Sequence, residues 1–317
     1  MTDLVSLLHY GSIGLMACVS TIGVGMGQGS ISRAAIDAIN IQPAAQSNIV
    51  RIAVFGMVLL EFAAIAGVTF ALFLLFGGPA CVTLPVAVGE VGIALAISIT
   101  GLLIGIASYY PAKEACLAVA RQPFFGQPIL RFMLLSQSII QTPVIFGFII
   151  GMFIRAQLIC IPTLYDGIRL LFAGLCIGLG SLGPAIGLAL FAQQACRGVG
   201  RNPGAYASLM SFTFISQAII ETPLLFSLLI SLLCVSTQVC YDLTALYALI
   251  SACLCVSIGT FGPGISSGRT AAAACKQIVE RPEQYSILSK TSMFGQGIID
   301  SSAIYAFLIA LMIFFFR

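Results

Sequence analysis

Charge is scarce in this sequence. Only 8% of the 317 residues are Asp, Glu, Lys or Arg, against roughly 25% in a soluble domain, and a soluble globular fold is excluded on that ground. Tryptophan is absent and histidine occurs once. The eleven cysteines contain no C-x-x-C pair, which leaves a metal site without its usual ligand spacing. The segment GVGMGQGS resembles a dinucleotide-binding loop only in its glycines, because no strand or βαβ context surrounds it. Nothing here could carry nucleotide chemistry. The net charge of +3 is too small to point to nucleic acid.

What fills the chain is apolar: 59% hydrophobic residues and a mean hydropathy of +1.08, the composition of a multi-pass membrane protein. The opening MTDLVSLLHYGSIGLM is acidic and runs directly into a long apolar segment, unlike a secretory signal. Residue 1 is therefore read as part of the mature protein. Eleven of the fourteen Lys and Arg residues fall in four polar stretches, around 33–51, 113–131, 197–201 and 269–290. Arg155, Arg169 and Arg317 are the exceptions. By the positive-inside rule the four stretches face the cytoplasm, the termini and remaining connections face outward, and eight spans result. Cys81, Cys160 and Cys240 fall in three successive outward linkers. They are either disulfide or ring-contact candidates or small apolar filler.

The chain repeats itself four times. Glu61, Gln141, Glu221 and Asp300 recur at steps of 80, 80 and 79, and a turn proline stands eighteen residues before each, at Pro43, Pro123, Pro203 and Pro282. The expected fold is all-α: eight transmembrane helices arranged as four tandem hairpins of one orientation, over residues 1–78, 79–158, 159–236 and 237–317. The first helix of each hairpin carries small residues at every second position, such as Gly23, Gly25, Gly27 and Gly29. Two flanks of such a helix can approach neighbours closely, as on the inner wall of a tight ring. A plain eight-helix bundle is the alternative.

Gln28 and Glu61 stand equally far from a turn centred near residue 44.5, which predicts that they face one another. Glu61 lies about 15 residues, or roughly 22 Å, from either end of its helix, near the bilayer middle. A carboxylate at that depth must bind a proton or a cation to be tolerated. Gln141 has the same shape and cannot ionise. Pro143 and Pro223 follow the acid level by two residues and should free the carbonyls of Ile139 and Ile219, or else merely kink the helix beside satisfied hydroxyls. Hydroxyls follow the acid position at Thr142, Thr222 and Ser301.

These paired glycine-rich and carboxylate helices, joined by turns reading RQP at Arg121, Gln122 and Pro123 and RNP at Arg201, Asn202 and Pro203, resemble the c-type proteolipid of rotary ATP synthases. The turn departs from that pattern at Ile41, Gln42 and Pro43, where arginine is missing, and at Arg281 and Pro282, which are directly adjacent. GVGMGQG, GPGISSG and GQGIIDSSAIY are similar to sodium-driven members. The resemblance implies a non-catalytic rotor subunit without a cofactor, ringed with copies of itself in lipid, in a bacterial inner membrane. A stator a subunit would load the carboxylates, and central-stalk γ and ε subunits would bind the polar turns. It implies ion binding at Glu61, Glu221 and Asp300, with Gln28, Thr222, Ser301, Ser302 and Tyr305 around them, and a silent position at Gln141. Family sites are shared between adjacent hairpins. A sodium site could then draw on Gln28, Glu61, Ser301 and the Ile298 carbonyl where one chain meets the next. Leu188 and Ser267 stand where the other hairpins would need glutamine, and the reading favours protons over sodium. Vacuolar-type fused proteolipids also lose carboxylates, so synthesis and ATP-driven pumping both stay open. A secondary transporter would show inverted repeats, and this sequence has none.

Overall fold

In a bilayer every backbone amide must be satisfied within the protein, and an apolar chain therefore folds as helices. The computed structural model describes residues 2–77, 82–161, 163–237 and 242–316. The helices are α1 (Thr2–Ile41), α2 (Gln46–Gly77), α3 (Leu84–Ala107), α4 (Tyr109–Arg121), α5 (Gly126–Ile140), α6 (Thr142–Gln157), α7 (Leu164–Gly180), α8 (Leu182–Arg201), α9 (Tyr206–Ser236), α10 (Leu243–Gly259), α11 (Phe261–Glu280) and α12 (Tyr285–Phe315). Among the described residues they make eight spans long and apolar enough to cross a membrane. The chain is a multi-pass all-α membrane protein.

Each hairpin reverses through one 3₁₀ turn that starts at the repeated proline: Pro43–Ala45, Pro123–Phe125, Pro203–Ala205 and Pro282–Gln284. A proline ring forces the preceding residue out of the helical region. Gln42, Gln122, Asn202 and Arg281 accordingly share nearly one conformation, with φ from −140° to −133°. The proline itself then opens the second helix, where its missing N–H costs nothing.

Prolines also break the spans. Pro111, Pro184 and Pro263 each lie three residues beyond a break, at Ser108, Ser181 and Thr260. Pro184 removes the amide that would bond the Gly180 carbonyl, and that carbonyl instead accepts the Thr260 hydroxyl of the next hairpin at 3.3 Å. In the second hairpin Pro143 leaves the Ile139 carbonyl to the Thr142 hydroxyl at 2.8 Å, and the helix breaks at Gln141. There the proline makes a satisfied kink. In the third hairpin α9 runs unbroken through Pro223.

The first helices of the hairpins stand side by side as an inner row: α1, then α3–α4, α7–α8 and α10–α11. The second helices form an outer row: α2, α5–α6 and α9 each sit in the groove between their own first helix and that of the next hairpin, and α12 packs on α10, α11 and α9. The two small-residue flanks serve the inner row. A Cβ on Gly23 would stand 2.5 Å from the Leu102 carbonyl oxygen, and one on Gly183 the same distance from that of Phe261. Only glycine permits helices this close.

The row does not close on itself. Among the described residues α1 does not pack against α10 or α11. Of the most apolar stretch of each inner helix, 67% and 72% is buried in the second and third hairpins but only 28% in the first. Gly25 and Gly29 on α1 have nothing within 4 Å of a built Cβ, and neither has Gly262 on α11.

The ends opposite the proline turns are tied by buried charge. His9 Nδ1 lies 2.6 Å from Glu90 Oε2, and Glu90 is fully buried. Arg169 donates to the carbonyls of Cys234 and Val235 at 2.8 and 2.6 Å, and Arg155 donates to that of Gly77. Both arginines cap the end of an outer helix, where cations are favoured. That accounts for two of the basic residues outside the four polar stretches. Cys81 and Cys240 lie outside the described residues.

Candidate functional site

The four hairpins stand in register, without axial slip. Hydrogen bonds between neighbouring hairpins join positions about one repeat apart along the whole height. His9 meets Glu90 at the end opposite the proline turns, and Gln137 meets Gly56 at mid-height. Near the turns, Asn202 donates to the Val279 carbonyl at 3.0 Å. Glu61, Gln141, Glu221 and Asp300 therefore share one level.

At that level each seam differs. In the first hairpin Gln28 Nε2 donates to Glu61 Oε1 at 3.1 Å. The pair opens into a cleft of about 440 Å³ lined by Thr21, Gly25, Ile65 and Val68 among others. It lies on the α1–α2 edge that no other hairpin of the chain covers. In the second hairpin Gln141 is buried. Its amide donates to the Leu59 carbonyl of the first hairpin at 3.1 Å and to Ser108 Oγ at 3.3 Å. Leu59 stands two residues before Glu61, and Ser108 occupies the repeat position of Gln28. Glu221 of the third hairpin lies beside the Thr142 hydroxyl of the second. Asp300 is only 6% exposed. Glu221 Oε1, Asp300 Oδ1 and Ser267 Oγ are buried with no protein hydrogen-bond partner among the described residues. A carboxylate oxygen so placed calls for a proton or a cation.

The hydroxyls near the acids are partly engaged in their own helices. Thr222 donates to the Ala218 carbonyl at 3.2 Å, Ser301 to Ile298 at 2.6 Å and Ser302 to Ile299 at 2.8 Å. Tyr305 is exposed. The Ile298 carbonyl and Ser301 sit on α12, at the other end of the row from the Gln28–Glu61 cleft, so the four groups are not together within one chain.

The turn residues Gln42, Pro43, Arg121, Gln122, Pro123, Arg201, Pro203, Arg281 and Pro282 all lie at one end of the structure, with Phe124 wholly exposed between them. Asn202 also bonds the third turn to the end of α11.

Two groups escaped the sequence reading. Ser108 is one. The other is a glutamine four residues before the acid level, at Gln137, Gln217 and Gln296, fully buried in each case. Its 80-residue spacing was visible, but Met57 in the first hairpin breaks the series.

Two stretches, residues 171–234 and 244–313, match the family of ATP synthase c subunits. An ATP synthase c subunit of Cereibacter sphaeroides is 38% identical over 68 residues, 22% of this chain and 82% of that protein. The corresponding protein of Dehalococcoides mccartyi is 40% identical over 67 residues, 21% of this chain and 88% of that protein. This chain belongs to the ATP synthase c-subunit family. Each relative is a single hairpin's worth of sequence, while this family member carries four acid-level positions on one chain. The two matched stretches hold Glu221 and Asp300.

Proposed function

We propose that this chain is the rotor of a rotary ATP synthase or ATPase, in which several copies close a ring. Glu61, Glu221 and Asp300 carry one proton each, and Gln141 passes as a permanently neutral position. A stator a subunit loads and unloads the carboxylates, γ and ε subunits of a central stalk grip the turns, and ATP chemistry resides in partner subunits. The membrane is a bacterial inner membrane, with turns cytoplasmic and termini outside.

One observation carries the reading. Three carboxylates and one amide stand at a single level on the outer row, Gln141, Glu221 and Asp300 at seams between hairpins and Glu61 on the open edge of the first. The Gln141 bond to Leu59 supports the seam geometry, since an amide N–H there donates to the carbonyl that a protonated carboxyl could use. Buried, unpartnered oxygens on Glu221 and Asp300 favour protons, which need no further ligands.

Sodium has one specific support. Gln28 already contacts Glu61, and a neighbouring copy would bring Ser301 and the Ile298 carbonyl to that cleft. The test is per-residue mass spectrometry of carboxylates labelled by a hydrophobic carbodiimide, which attacks the protonated acid. Labelling of all three that depends on pH and ignores sodium is expected. Suppression by sodium would convert the reading to a sodium rotor, and no labelling of any of the three would overturn it.

A further inference from the structure

The seams within the chain are latched by a device that the seam between chains lacks. One helical turn toward the proline turns from the acid level, Gln137 Nε2 donates to the Ser108 carbonyl of its own hairpin at 2.8 Å and also reaches the Gly56 carbonyl of the preceding hairpin at 3.3 Å. Gln217 Nε2 reaches the Ser136 carbonyl at 3.3 Å, and Gln296 Nε2, which donates to Ser292 Oγ of its own helix at 3.0 Å, also reaches Ser216 Oγ at 3.5 Å. Donor and acceptor hold the same repeat positions in all three. All three donors are fully buried between outer helices. In the first hairpin the donor position is Met57, which cannot donate. Its sulfur accepts from Ser32 of its own hairpin at 3.3 Å. The acceptor position on the fourth hairpin is Gly295.

The open edges say what covers them. Gly23 and Gly27 of α1 abut the second hairpin at Leu102 and Gly105, and Gly183 and Gly187 abut the fourth at Phe261 and Gly264. Gly25 and Gly29, on the other flank of α1, meet open space, as does Gly262. Continuing the repeat sets Gly25 and Gly29 of one copy against Gly262 and Ser266 of another. The occupant is a second copy of this chain. Among the described residues lining the Gln28 cleft, Glu61 is the only titratable group. From the facing edge α12 would bring Ser301, Ile298 and Tyr305, while Asp300 is buried in its own seam.

We infer that the copy-to-copy junction is the conditional seam of the ring, closed by the ion held at Glu61 rather than by a glutamine latch. With Glu61 protonated or sodium-bound, the apolar faces meet around a neutral site. With Glu61 empty, one carboxylate, held by the Gln28 amide of its own hairpin alone, faces an apolar seam that has no glutamine latch. The seams inside a chain are insulated from this, being both covalently tethered and latched. The inference rests on the ring reading of the preceding subsection.

The experiment measures intact ring against single chains by native mass spectrometry, on rings extracted from membranes, at mildly acidic and at alkaline pH, with and without sodium. Wild-type rings should lose at least about tenfold in the ring-to-chain ratio at alkaline pH without sodium, the scale of leaving one carboxylate unpaired in an apolar seam. Glu61→Gln, which installs at the junction the amide already present at Gln141, should stay closed at every pH. Met57→Gln should hold the ring through the pH rise that opens the wild type. Wild-type rings indifferent to pH and sodium would overturn the inference, as would Glu61→Gln rings that open alongside them. Failure to find rings under any condition would instead remove the ring reading itself.

Discussion

Gln141 on the second hairpin donates its side-chain amide to the backbone carbonyl of Leu59 on the first, 3.1 Å away. The same amide lies 3.3 Å from Ser108 Oγ, so a position that could have held an ion is tied to the protein on two sides. Replacing it by leucine removes both bonds and should lower the stability of the assembled protein by about 1 kcal/mol, the usual scale of polar contacts between membrane helices. Thermal dissociation in one detergent checks it. Gln141→Glu should present a fourth carboxyl to the carbodiimide at mildly acidic pH, seen as a fourth labelled residue by mass spectrometry.

Helix approach along the inner row makes a sharp contrast between glycines. Gly183→Ala would push a methyl to 2.5 Å from the Phe261 carbonyl oxygen, and separating the helices should cost about 1–3 kcal/mol. Gly11→Ala meets nothing within 4 Å and should be neutral or gain up to about 1 kcal/mol from helix propensity. Assembly yield and thermal midpoint of the two variants, measured side by side, decide the matter.

Arg169 is 2% exposed, holds two carbonyls at the end of α9 and has Asp166 3.6 Å from its Nε. Arg169→Met takes the cation from buried Asp166, which keeps the Thr163 hydroxyl at 2.7 Å, and should destabilise by about 3–5 kcal/mol, as breaking one side of a buried pair does. Arg169→Met with Asp166→Asn should recover part of that loss. Equal stability of the single and double variants would show that the pair contributes nothing.

His9 and Glu90 join α1 to α3 at 2.6 Å. A double-mutant cycle of His9→Ala and Glu90→Ala should return a coupling of about 1–3 kcal/mol. Glu90→Gln should cost less than Glu90→Ala, because an amide oxygen can still accept a hydrogen bond from His9.

Much of the architecture could be read from residue spacing alone. A proline eighteen residues before each acid-level residue sets both the reversal and the length of each arm. The mirror of Gln28 and Glu61 about the turn follows from counting. Rotation of a helix about its axis does not follow from counting in an apolar chain, where nearly every face is greasy. For that reason the His9–Glu90 pair, 81 positions apart, was not legible. Nor was the engagement of Ser301 with its own helix, which depends on a rotamer choice. Ser108 went unnoticed because Pro111 moves the break of its span to the acid level, whereas Pro184 and Pro263 break theirs a full two turns earlier.

Fusion gives the molecule something a ring of separate single hairpins cannot have, which is a fixed order. Around any ring closed from this chain the series runs glutamate, glutamine, glutamate, aspartate, and then begins again. Such a wheel is a gear with every fourth tooth blunted. Its load would rise and fall with a rhythm written into the gene, and a single-molecule record of its rotation would carry that beat.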